Sequence, residues 1–261
     1  MRIATWNVNS LKARLTKLEG WLADARPDVV RLQETKLADD AFPTMGFAAL
    51  GYDAVHHGEG RWNGVAILSR VGIDDVVDGF ADGGEHDGEA RLLTATCGGV
   101  RVATMYVPNG REVGHEQYVR KLTWLGRVRA HLDAVTTPAD DVVLCGDFNI
   151  APDDRDVWDP KKCHGGTHVS EPERDALRAI EAWGLVDTVR AKYDVGDLYS
   201  WWDYQAGAFH KHWGMRIDLL LASASLAERL EWVLIDRNAR KGGADSKPSD
   251  HAPLMAQFLV R

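Results

Sequence analysis

Residues 1–33 read MRIATWNVNSLKARLTKLEGWLADARPDVVRLQ, and this stretch decides the fold. Apolar and β-branched residues dominate positions 2–7 and 28–33, which predicts two buried strands. Between them, leucines recur at the spacing of one helix face, at Leu11, Leu15, Leu18 and Leu22. Ser10 precedes the first leucine and is expected to be the N-cap of that helix. A strand, a helix and a strand in this order predict an α/β architecture.

The rest of the chain continues this alternation of strands and helices. We expect further strands at 64–69, 91–97, 101–107, 141–145, 216–222 and 254–260. Apolar residues at helical spacing predict one helix that begins at Glu116 and another over 173–183. Prolines and glycines predict a long surface loop over 151–172. No repeat or linker divides the sequence, so we expect one domain, 1–261, with two β-sheets covered by helices.

The composition is that of an ordinary globular protein. Of the 261 residues, 45% are hydrophobic and 27% are charged, a balance that suits one large α/β domain. No apolar run approaches the roughly 20 residues needed to span a membrane, and the N-terminus lacks the apolar core of a secretory signal. The net charge of −8 argues against non-specific coating of nucleic acid, but a local basic face is compatible with it.

The cysteines are Cys97, Cys145 and Cys163, an odd number without CxxC spacing. They argue against a disulfide framework or a zinc site and for a reducing compartment, which we take to be the cytoplasm. Cys145 lies in an expected strand and is interpreted as inert core.

The most informative motif is Gly146-Asp147-Phe148-Asn149, directly after the apolar strand at 141–145. Because side chains alternate along a strand, Asp147 and Asn149 are expected to face the same way. The carboxylate would hold or activate a water molecule, and the amide would orient that water or a phosphate oxygen. Alone, the motif is also compatible with an ordinary turn.

Similar polar groups stand at the ends of other expected strands, where α/β scaffolds usually place their chemistry. They are Asn7, Glu34, Tyr106, Asn109, Asp218, Asp250 and His251. Each residue alone has an ordinary structural explanation as a surface charge, a turn residue or a hydrogen-bonded histidine. Asp218 is the hardest to explain in that way, since an unpaired carboxylate in an apolar strand is costly.

Together these residue types fit a phosphodiesterase that uses a divalent metal. Glu34 and Asp250 are the best candidate ligands, because Mg²⁺ prefers carboxylate and water oxygens. Asp147 would activate the attacking water, and His251, oriented by Asp218, would donate to the phosphate. The remaining polar groups would bind non-bridging oxygens and stabilise charge in the transition state. They are Asn7, Tyr106, Asn109 and Asn149.

Six blocks of sequence resemble the exonuclease III family of apurinic/apyrimidinic endonucleases, which belongs to the endonuclease/exonuclease/phosphatase superfamily. These blocks are WNVNS at 6–10, LQETK at 32–36, YVPNG at 106–110, GDFN at 146–149, RIDLLL at 216–221 and KPSDHAP at 247–253. They occur in the expected order and span nearly the whole chain.

The resemblance implies a four-layered α/β sandwich, with two packed β-sheets flanked by helices as in deoxyribonuclease I. It implies cleavage 5′ to abasic sites in duplex DNA with Mg²⁺ or Mn²⁺, and 3′→5′ exonuclease and 3′-phosphatase or 3′-repair activity at blocked ends. By motif match it makes Glu34 the metal ligand, with Asn7 and Asp250 beside it, and Asp147 the water-activating acid. We expect the enzyme to act as a monomer.

Aromatic residues between 200 and 215 provide candidates for substrate recognition. In the family, apolar residues at matching places form a pocket for the flipped-out abasic sugar, and here Trp201, Trp202 and Met215 are the candidates. A sugar without a base enters a tight apolar slot that excludes a normal nucleotide. Core packing is the alternative explanation for these side chains.

Basic residues near the motifs are candidates for phosphate contacts that position the duplex, and Arg111, next to YVPNG, is the strongest. The others are Lys12, Arg14, Lys36, Arg61, Lys121, Lys211, Arg216, Arg240, Lys241 and Lys247. Arg31 departs from the pattern, because it stands inside an expected strand where an apolar residue is the rule.

Two alternatives stay open at this point. The first keeps the fold but changes the substrate, as in a phosphoinositide phosphatase or a general nuclease like deoxyribonuclease I. The second is a non-catalytic scaffold that binds DNA or a partner. The YVPNG and WNVNS contexts and the aromatic stretch favour the abasic-site branch, and the complete set of acids argues against the scaffold.

Overall fold

The computed structural model describes residues 1–242 and 247–260, which build two mixed β-sheets of six strands each. The first sheet contains, from edge to edge, β11 (Leu230–Ile235), β12 (Leu254–Phe258), β1 (Arg2–Asn7), β2 (Val29–Gln33), β4 (Val65–Ser69) and β3 (Asp53–His57). The second contains β5 (Asp74–Asp78), β6 (Leu92–Cys97), β7 (Val100–Tyr106), β8 (Val142–Asp147), β10 (Asp218–Ser223) and β9 (Leu185–Asp187). This confirms the two-sheet architecture expected from the sequence.

Four helices cover the outer faces of the sheets, namely α1 (Leu11–Ala25), α2 (Thr44–Ala49), α3 (Glu116–Val135) and α5 (Glu171–Glu181). The shorter helices are α4 (Pro160–Cys163), α6 (Thr188–Lys192), α7 (Ala208–Lys211) and α8 (Ala224–Ala227), and Val189 of α6 and Leu226 of α8 pack in the layer between the sheets. Short 3₁₀ turns lie at Asp39–Ala41, Asp154–Asp156 and Arg237–Arg240. No helix within the described ranges is long and apolar enough to cross a membrane.

Three apolar layers hold the sandwich together. Residues such as Ile3 and Val29 from the first sheet meet Val143 and Cys145 from the second in the layer between the sheets. Leu18 and Leu22 of α1 pack on the outside of the first sheet. Trp124 and Leu125 of α3 pack with Leu177 of α5 on the outside of the second. Burial of this apolar surface, at about 25 cal/mol per Å², is the main stabilising contribution.

Two crossovers decide where the polar strand ends meet. The pairs β1–β2 and β7–β8 are parallel, and α1 and α3 connect their members. In parallel neighbours the carboxyl ends lie on the same edge. Asn7 and the segment after Gln33 therefore end together in one sheet, and Tyr106 pairs with Asp147 in the other.

The start of α1 differs from the expectation. Ser10 stands at the N-cap but has φ 84° and makes no side-chain capping bond. Instead, its backbone amide donates to the Glu34 carbonyl at 2.7 Å, and the amide of Leu11 donates to the Thr35 carbonyl at 3.0 Å. The helix start is thus satisfied by the segment after β2, a contact that local sequence does not reveal.

Four strands were not anticipated, namely β3, β5, β9 and β11. Three of the five residues of β5 are aspartates, and β9 is only three residues long. The loop at 151–172 also contains more structure than expected, with one 3₁₀ turn and α4. Local propensity is weak in β5 and β9, where tertiary pairing decides the conformation. β11 has the sequence LEWVLI, which is rich in β-forming residues, so its strand signal was present in the sequence and was overlooked.

Arg31 lies at the centre of β2 with no exposed surface. None of its three guanidinium nitrogens has a hydrogen-bond partner among residues 1–242 and 247–260. Burial lowers the pKa of Arg31, and the nearby thiols of Cys145 and Cys97 offset this only in part. A buried guanidinium without partners costs free energy of folding.

We therefore expect Arg31→Met to stabilise the protein. The substitution removes the desolvated charge and keeps a long, unbranched apolar side chain, so the free energy of unfolding should rise by ~1–4 kcal/mol in urea denaturation. A drop of similar size would show that the guanidinium has a partner that the protein residues do not provide, such as a buried water.

His131 on α3 is also buried, and it accepts a hydrogen bond from the backbone amide of Ala81 at 3.1 Å through Nδ1. Its Nε2 lies 2.9 Å from the Thr94 hydroxyl. Burial lowers the pKa of His131 to about 4. The folded state therefore keeps the ring neutral, while the unfolded chain takes up a proton at about pH 6.5.

This pKa difference predicts a loss of stability on acidification. The contribution of His131 is complete above about pH 6.5 and is lost as the pH falls towards about 4, with a total on the order of 3 kcal/mol. His131→Gln should reduce the slope of unfolding free energy against pH in this window. The reduction should be at most about 1.4 kcal/mol per pH unit, which corresponds to one proton. His210→Gln, at an exposed histidine, serves as the control. Parallel slopes for His131→Gln and wild type would contradict the prediction.

Candidate active site

The polar strand ends identified in the sequence meet at one edge of the sandwich. Asn7 ends β1, Asp147 ends β8, and Asp218 begins β10 directly opposite Asp147. The segment that precedes β12 brings His251 to the same place, with Nε2 3.8 Å from the Asp147 carboxylate. One cluster therefore draws on both sheets.

Asn7 joins the two sheets at this edge. Its side-chain amide donates to Glu34 at 2.8 Å and to Asp147 at 2.9 Å. Its carbonyl oxygen accepts from the backbone amide of Asn9 at 2.9 Å. The predicted place of Asn7 in the site is thus observed, but all of these groups are already engaged with the protein. This geometry makes Asn7 a positioning residue for the two carboxylates.

Glu34 lies in the left-handed region of backbone conformation, with φ 52°. This conformation is uncommon for a residue other than glycine and costs free energy. Backbone bonds from Ser10 to the Glu34 carbonyl and from Thr35 to the Gly64 carbonyl hold it there. The Glu34 carboxylate also pairs with the Lys36 ammonium at 2.9 Å. Several neighbours therefore fix the direction of this carboxylate.

The predicted pair of Asp218 and His251 is present and buried. His251 Nδ1 lies 2.8 Å from the Asp218 carboxylate. That carboxylate also accepts from the Ser200 hydroxyl at 2.7 Å, and Ser200 in turn accepts from the backbone amide of Asp218. Sequence reasoning did not identify Ser200. Two bonds thus orient the Asp218 carboxylate, and this carboxylate orients the imidazole so that Nε2 faces Asp147.

Burial and the charges of neighbouring side chains shift the pKa values of Asp147 and His251. Burial raises the pKa of Asp147 to about 7, assisted by the charges of Asp218 and Glu34 and opposed by His251. Burial alone would lower the pKa of His251, but Asp218 and Asp147 outweigh it and raise this pKa to about 10. A carboxylate with a pKa near 7 beside a cationic imidazole forms a suitable pair for proton transfer at physiological pH.

Tyr106 remains a protonated phenol next to these acids. Burial raises its pKa well above the ordinary value, and the charges of Glu34 and Asp147 raise it further. The Arg91 guanidinium lies 4.6 Å from the centre of the phenol ring. The hydroxyl of Tyr106 is therefore a hydrogen-bond donor to any anion bound at the site.

The position of the Asn149 side chain does not result from the strand alternation that the sequence had predicted. β8 ends at Asp147, and Asn149 has φ 51°, with its backbone amide bonded to the Asp147 carboxylate at 2.9 Å. Its side chain donates to the Val107 carbonyl at 2.9 Å and accepts from the Asn109 amide at 3.4 Å. A left-handed turn, rather than the pleat of a strand, thus brings Asp147, Asn149 and Asn109 together.

A buried ion pair supports the two loops that contain Asn109 and Asn149. The ammonium of Lys121 donates to the Asn149 carbonyl at 2.6 Å, contacts the Asn109 carbonyl at 3.4 Å and pairs with Glu173. Neither charged side chain is exposed. Lys121 was considered a candidate phosphate contact, and its burial shows that this was wrong. The sequence already indicated that Lys121 is buried, because Lys121 lies on the same helix face as Tyr118 and Leu125.

Arg216 was a second candidate phosphate contact and is also wrong. Its guanidinium has no exposed surface and pairs with Asp156 at 2.6 Å and Asp187 at 2.7 Å. This network ties the 151–158 segment to the start of β10. Buried charges persist where partners satisfy them, as they do here.

His168 is a site neighbour whose position sequence reasoning did not predict, since the sequence offered it only as a weak metal-ligand candidate together with His164. Its Nδ1 is bonded to the Asn149 carbonyl, and its Nε2 lies 3.5 Å from the Asn109 amide. Burial lowers the pKa of His168 to about 4, with a further contribution from Lys121. The ring is therefore neutral beside the asparagine pair. The glycines before it gave no periodic pattern from which this position could be inferred.

Within residues 1–242 and 247–260, the group of side chains that could hold a metal ion is Glu34, Asp147 and His251. One ligand atom from each lies within 4.8 Å of the others. Two carboxylates suit Mg²⁺ or Mn²⁺, which prefer oxygen ligands. The structure does not bring Asp250 into this group, since its carboxylate accepts from Asn9 at 2.9 Å and from Trp201 Nε1 at 3.1 Å.

The predicted substrate-binding side chains occupy different environments. Trp201 and Met215 are half-buried. The backbone of Trp201 pairs through single β-bridges with the backbones of Met215 and His251. They therefore lie beside the reaction centre. Trp202 has no exposed surface and packs against Phe209 at 5.2 Å, which places it in the core behind them. Arg111 is exposed next to Asn109, whose side chain accepts from its backbone amide.

Comparison with known proteins agrees with this geometry. A family model described as the endonuclease/exonuclease/phosphatase family matches residues 4–251. Exodeoxyribonuclease III of Haemophilus influenzae is 33% identical over 99% of this chain and 100% of its own length.

Two solved structures are similar over the complete length of both chains. A Neisseria 3′ phosphatase, solved with a product DNA hairpin, has a TM-score of 0.94 and 37% identity. An AP endonuclease from Archaeoglobus fulgidus has a TM-score of 0.95 and 37% identity. The six motifs, the two-sheet sandwich and these similarities agree, and the chain belongs to the endonuclease/exonuclease/phosphatase family, in its exonuclease III branch of AP endonucleases.

Proposed function

We propose that this protein is a divalent-metal-dependent DNA repair phosphodiesterase that cleaves 5′ to abasic sites in duplex DNA. It also removes phosphate and other blocking groups from 3′ ends and degrades DNA from the 3′ end. The observation that carries the proposal is the cluster of Glu34, Asp147 and the Asp218–His251 pair at the junction of the two sheets. The relatives named above act on DNA ends and abasic sites, which supports the choice of substrate.

Asp147 is the base in the proposed reaction. Its carboxylate is held by the amides of Asn7 and Asn149, and its pKa of about 7 lets it accept a proton from water near neutral pH. The water attacks phosphorus in line with the 3′ oxygen that leaves. The bond between phosphorus and that oxygen breaks, and the oxygen takes up a proton from solvent, which yields a 3′-hydroxyl and a 5′-phosphate.

The other side chains stabilise charge on the phosphate. His251 is cationic, since Asp218 and Asp147 raise its pKa, and its Nε2 proton points towards the reaction centre. Tyr106 and Asn109 provide neutral donors on the opposite side. A Mg²⁺ or Mn²⁺ ion held by Glu34 would add Lewis-acid stabilisation of the phosphoryl oxygens.

Substrate choice rests on the surface beside His251. Trp201 and Met215 offer an apolar wall next to the imidazole, which suits a deoxyribose without its base. Arg111 is exposed where a strand that enters the site would pass, and it would contact a phosphate. Trp202 supports this wall from the core.

The substrate is tested with a labelled duplex that carries one abasic analogue. We expect incision on the 5′ side in Mg²⁺, with a 3′-hydroxyl product, and none in EDTA. Parallel reactions use an undamaged duplex, a duplex with a 3′-phosphate, and an inositol phosphate. An intact abasic duplex together with turnover of the inositol phosphate would reject the proposal in favour of the phosphatase alternative.

The roles of the reacting groups are tested by kinetics on the same duplex. Asp147→Asn and His251→Ala should each lower kcat by about 10²–10⁴-fold, because each removes a proton-transfer or charge-stabilising group. DNA affinity should change little. Asp24→Asn and His86→Ala, at exposed positions of the same residue types, are the matched controls. A near-normal kcat in either site variant would rule out the role assigned to that residue.

A further inference from the structure

A cavity of about 360 Å³ lies between the 203–210 segment and the 240–242 segment. This volume is within the range of small-ligand pockets, about 300–1,000 Å³. Its lining includes Asp203, Tyr204, Phe209, His210, Arg240 and Lys241. None of these residues belongs to the reaction centre described above.

Arg240 is the main polar group of the cavity, and it is only 7% exposed. Its guanidinium carbon lies 5.0 Å from the ring centres of both Tyr204 and Phe209. Its one hydrogen bond to a described residue is a long one of 3.5 Å, to the Trp202 carbonyl. A guanidinium carries five N–H donors, and burial without acceptors is costly. Within residues 1–242 and 247–260, most of its donors therefore lack an acceptor, although Nε itself is fully buried.

Further positive charge surrounds this group. The Arg237 guanidinium lies 4.1 Å from the Phe209 ring centre, and Arg14 donates to the Tyr204 hydroxyl at 2.8 Å. Burial lowers the pKa of Arg240, Arg14 and Arg237 contribute in the same direction, and Tyr204 and Asp250 oppose them. The basic groups outnumber the carboxylate of Asp203 in the lining, so the cavity favours an anion.

The cavity is also connected to the reaction centre. Arg14 donates to the Asn9 carbonyl at 2.6 Å, and the Asn9 amide donates to Asp250 at 2.9 Å. The Tyr204 hydroxyl donates to the Pro248 carbonyl at 2.8 Å. Pro248 and Asp250 lie just before His251 in the chain. The wall of the cavity is therefore linked by hydrogen bonds to the segment that carries His251.

We propose that this cavity is a second phosphate subsite for nucleic acid. Arg240 and Lys241 bind the phosphate, since guanidinium groups match its geometry, and Tyr204 and Phe209 provide the apolar wall for the attached nucleoside. The proposal rests on the proposed function in taking nucleic acid as the source of the phosphate. The phosphate belongs either to the backbone of bound DNA or to a released 5′-mononucleotide, and the chemistry of recognition is the same.

The test measures DNA binding as a function of salt in EDTA, where cleavage does not occur. Loss of one phosphate contact reduces the slope of log K against log salt by about 0.9. We expect Arg240→Met to show this reduction. Lys241→Gln changes an exposed side chain, should show the same reduction, and gives a result even if Arg240→Met does not fold. Arg178→Met is the control, since Arg178 is an exposed arginine on α5 that pairs with Glu171 and Asp175.

Calorimetric titration with 5′-dAMP and with inorganic phosphate distinguishes the two sources. A reduced slope without binding of 5′-dAMP identifies a backbone phosphate. Binding of 5′-dAMP that both variants weaken at least several-fold, with an unchanged slope, identifies the released nucleotide. An unchanged slope together with no variant-sensitive binding overturns the proposal. Incision by the wild-type protein is a separate measurement, so failure of the cavity proposal and failure of the proposed function give different results.

Discussion

The whole site depends on one amide group that lies between two acids, the half-buried Glu34 and the buried Asp147. The side chain of Asn7 donates to Glu34 in the first sheet and to Asp147 in the second. Two carboxylates at this distance repel one another, and burial increases the cost of their charges. The amide reduces that cost and sets the distance between the sheets at the edge where the chemistry takes place. An aspartate or a hydrophobic residue in its place would satisfy neither requirement.

Charge compensation extends outward from this amide in two directions. On one side, Asp218 and His251 place a cationic imidazole against Asp147, and Ser200 orients the carboxylate of Asp218. On the other side, Lys121 donates to the backbone carbonyls of Asn109 and Asn149 and pairs with Glu173. Buried polar networks of this kind are costly when one member is removed, because the partner is left unsatisfied. The site is therefore rigid before any substrate arrives, which favours catalysis by oriented groups.

The strands and motifs were largely predictable, because apolar periodicity and polar strand ends are local properties. Side-chain partners were less predictable. Lys121 and Arg216 are basic residues near the motifs, yet each is fully buried in an ion pair with an acid distant in sequence. Ser10 has a typical capping residue type, but the Glu34 carbonyl binds its amide instead. Asn149 reaches the site through a left-handed turn that strand alternation did not predict.

The sequence by itself determined the α/β class, the order of the motifs, and the residues that meet at the reaction centre, because periodicity and strand-end polarity are written in short stretches. The packing of the sheets was needed to show that Trp202 lies in the core while Trp201 donates to Asp250, and that Asp250 also accepts from Asn9. The same holds for the Arg240 cavity, whose walls come from segments more than 30 residues apart. Burial and hydrogen-bond partners depend on contacts between distant segments, and these form only when the two sheets pack together.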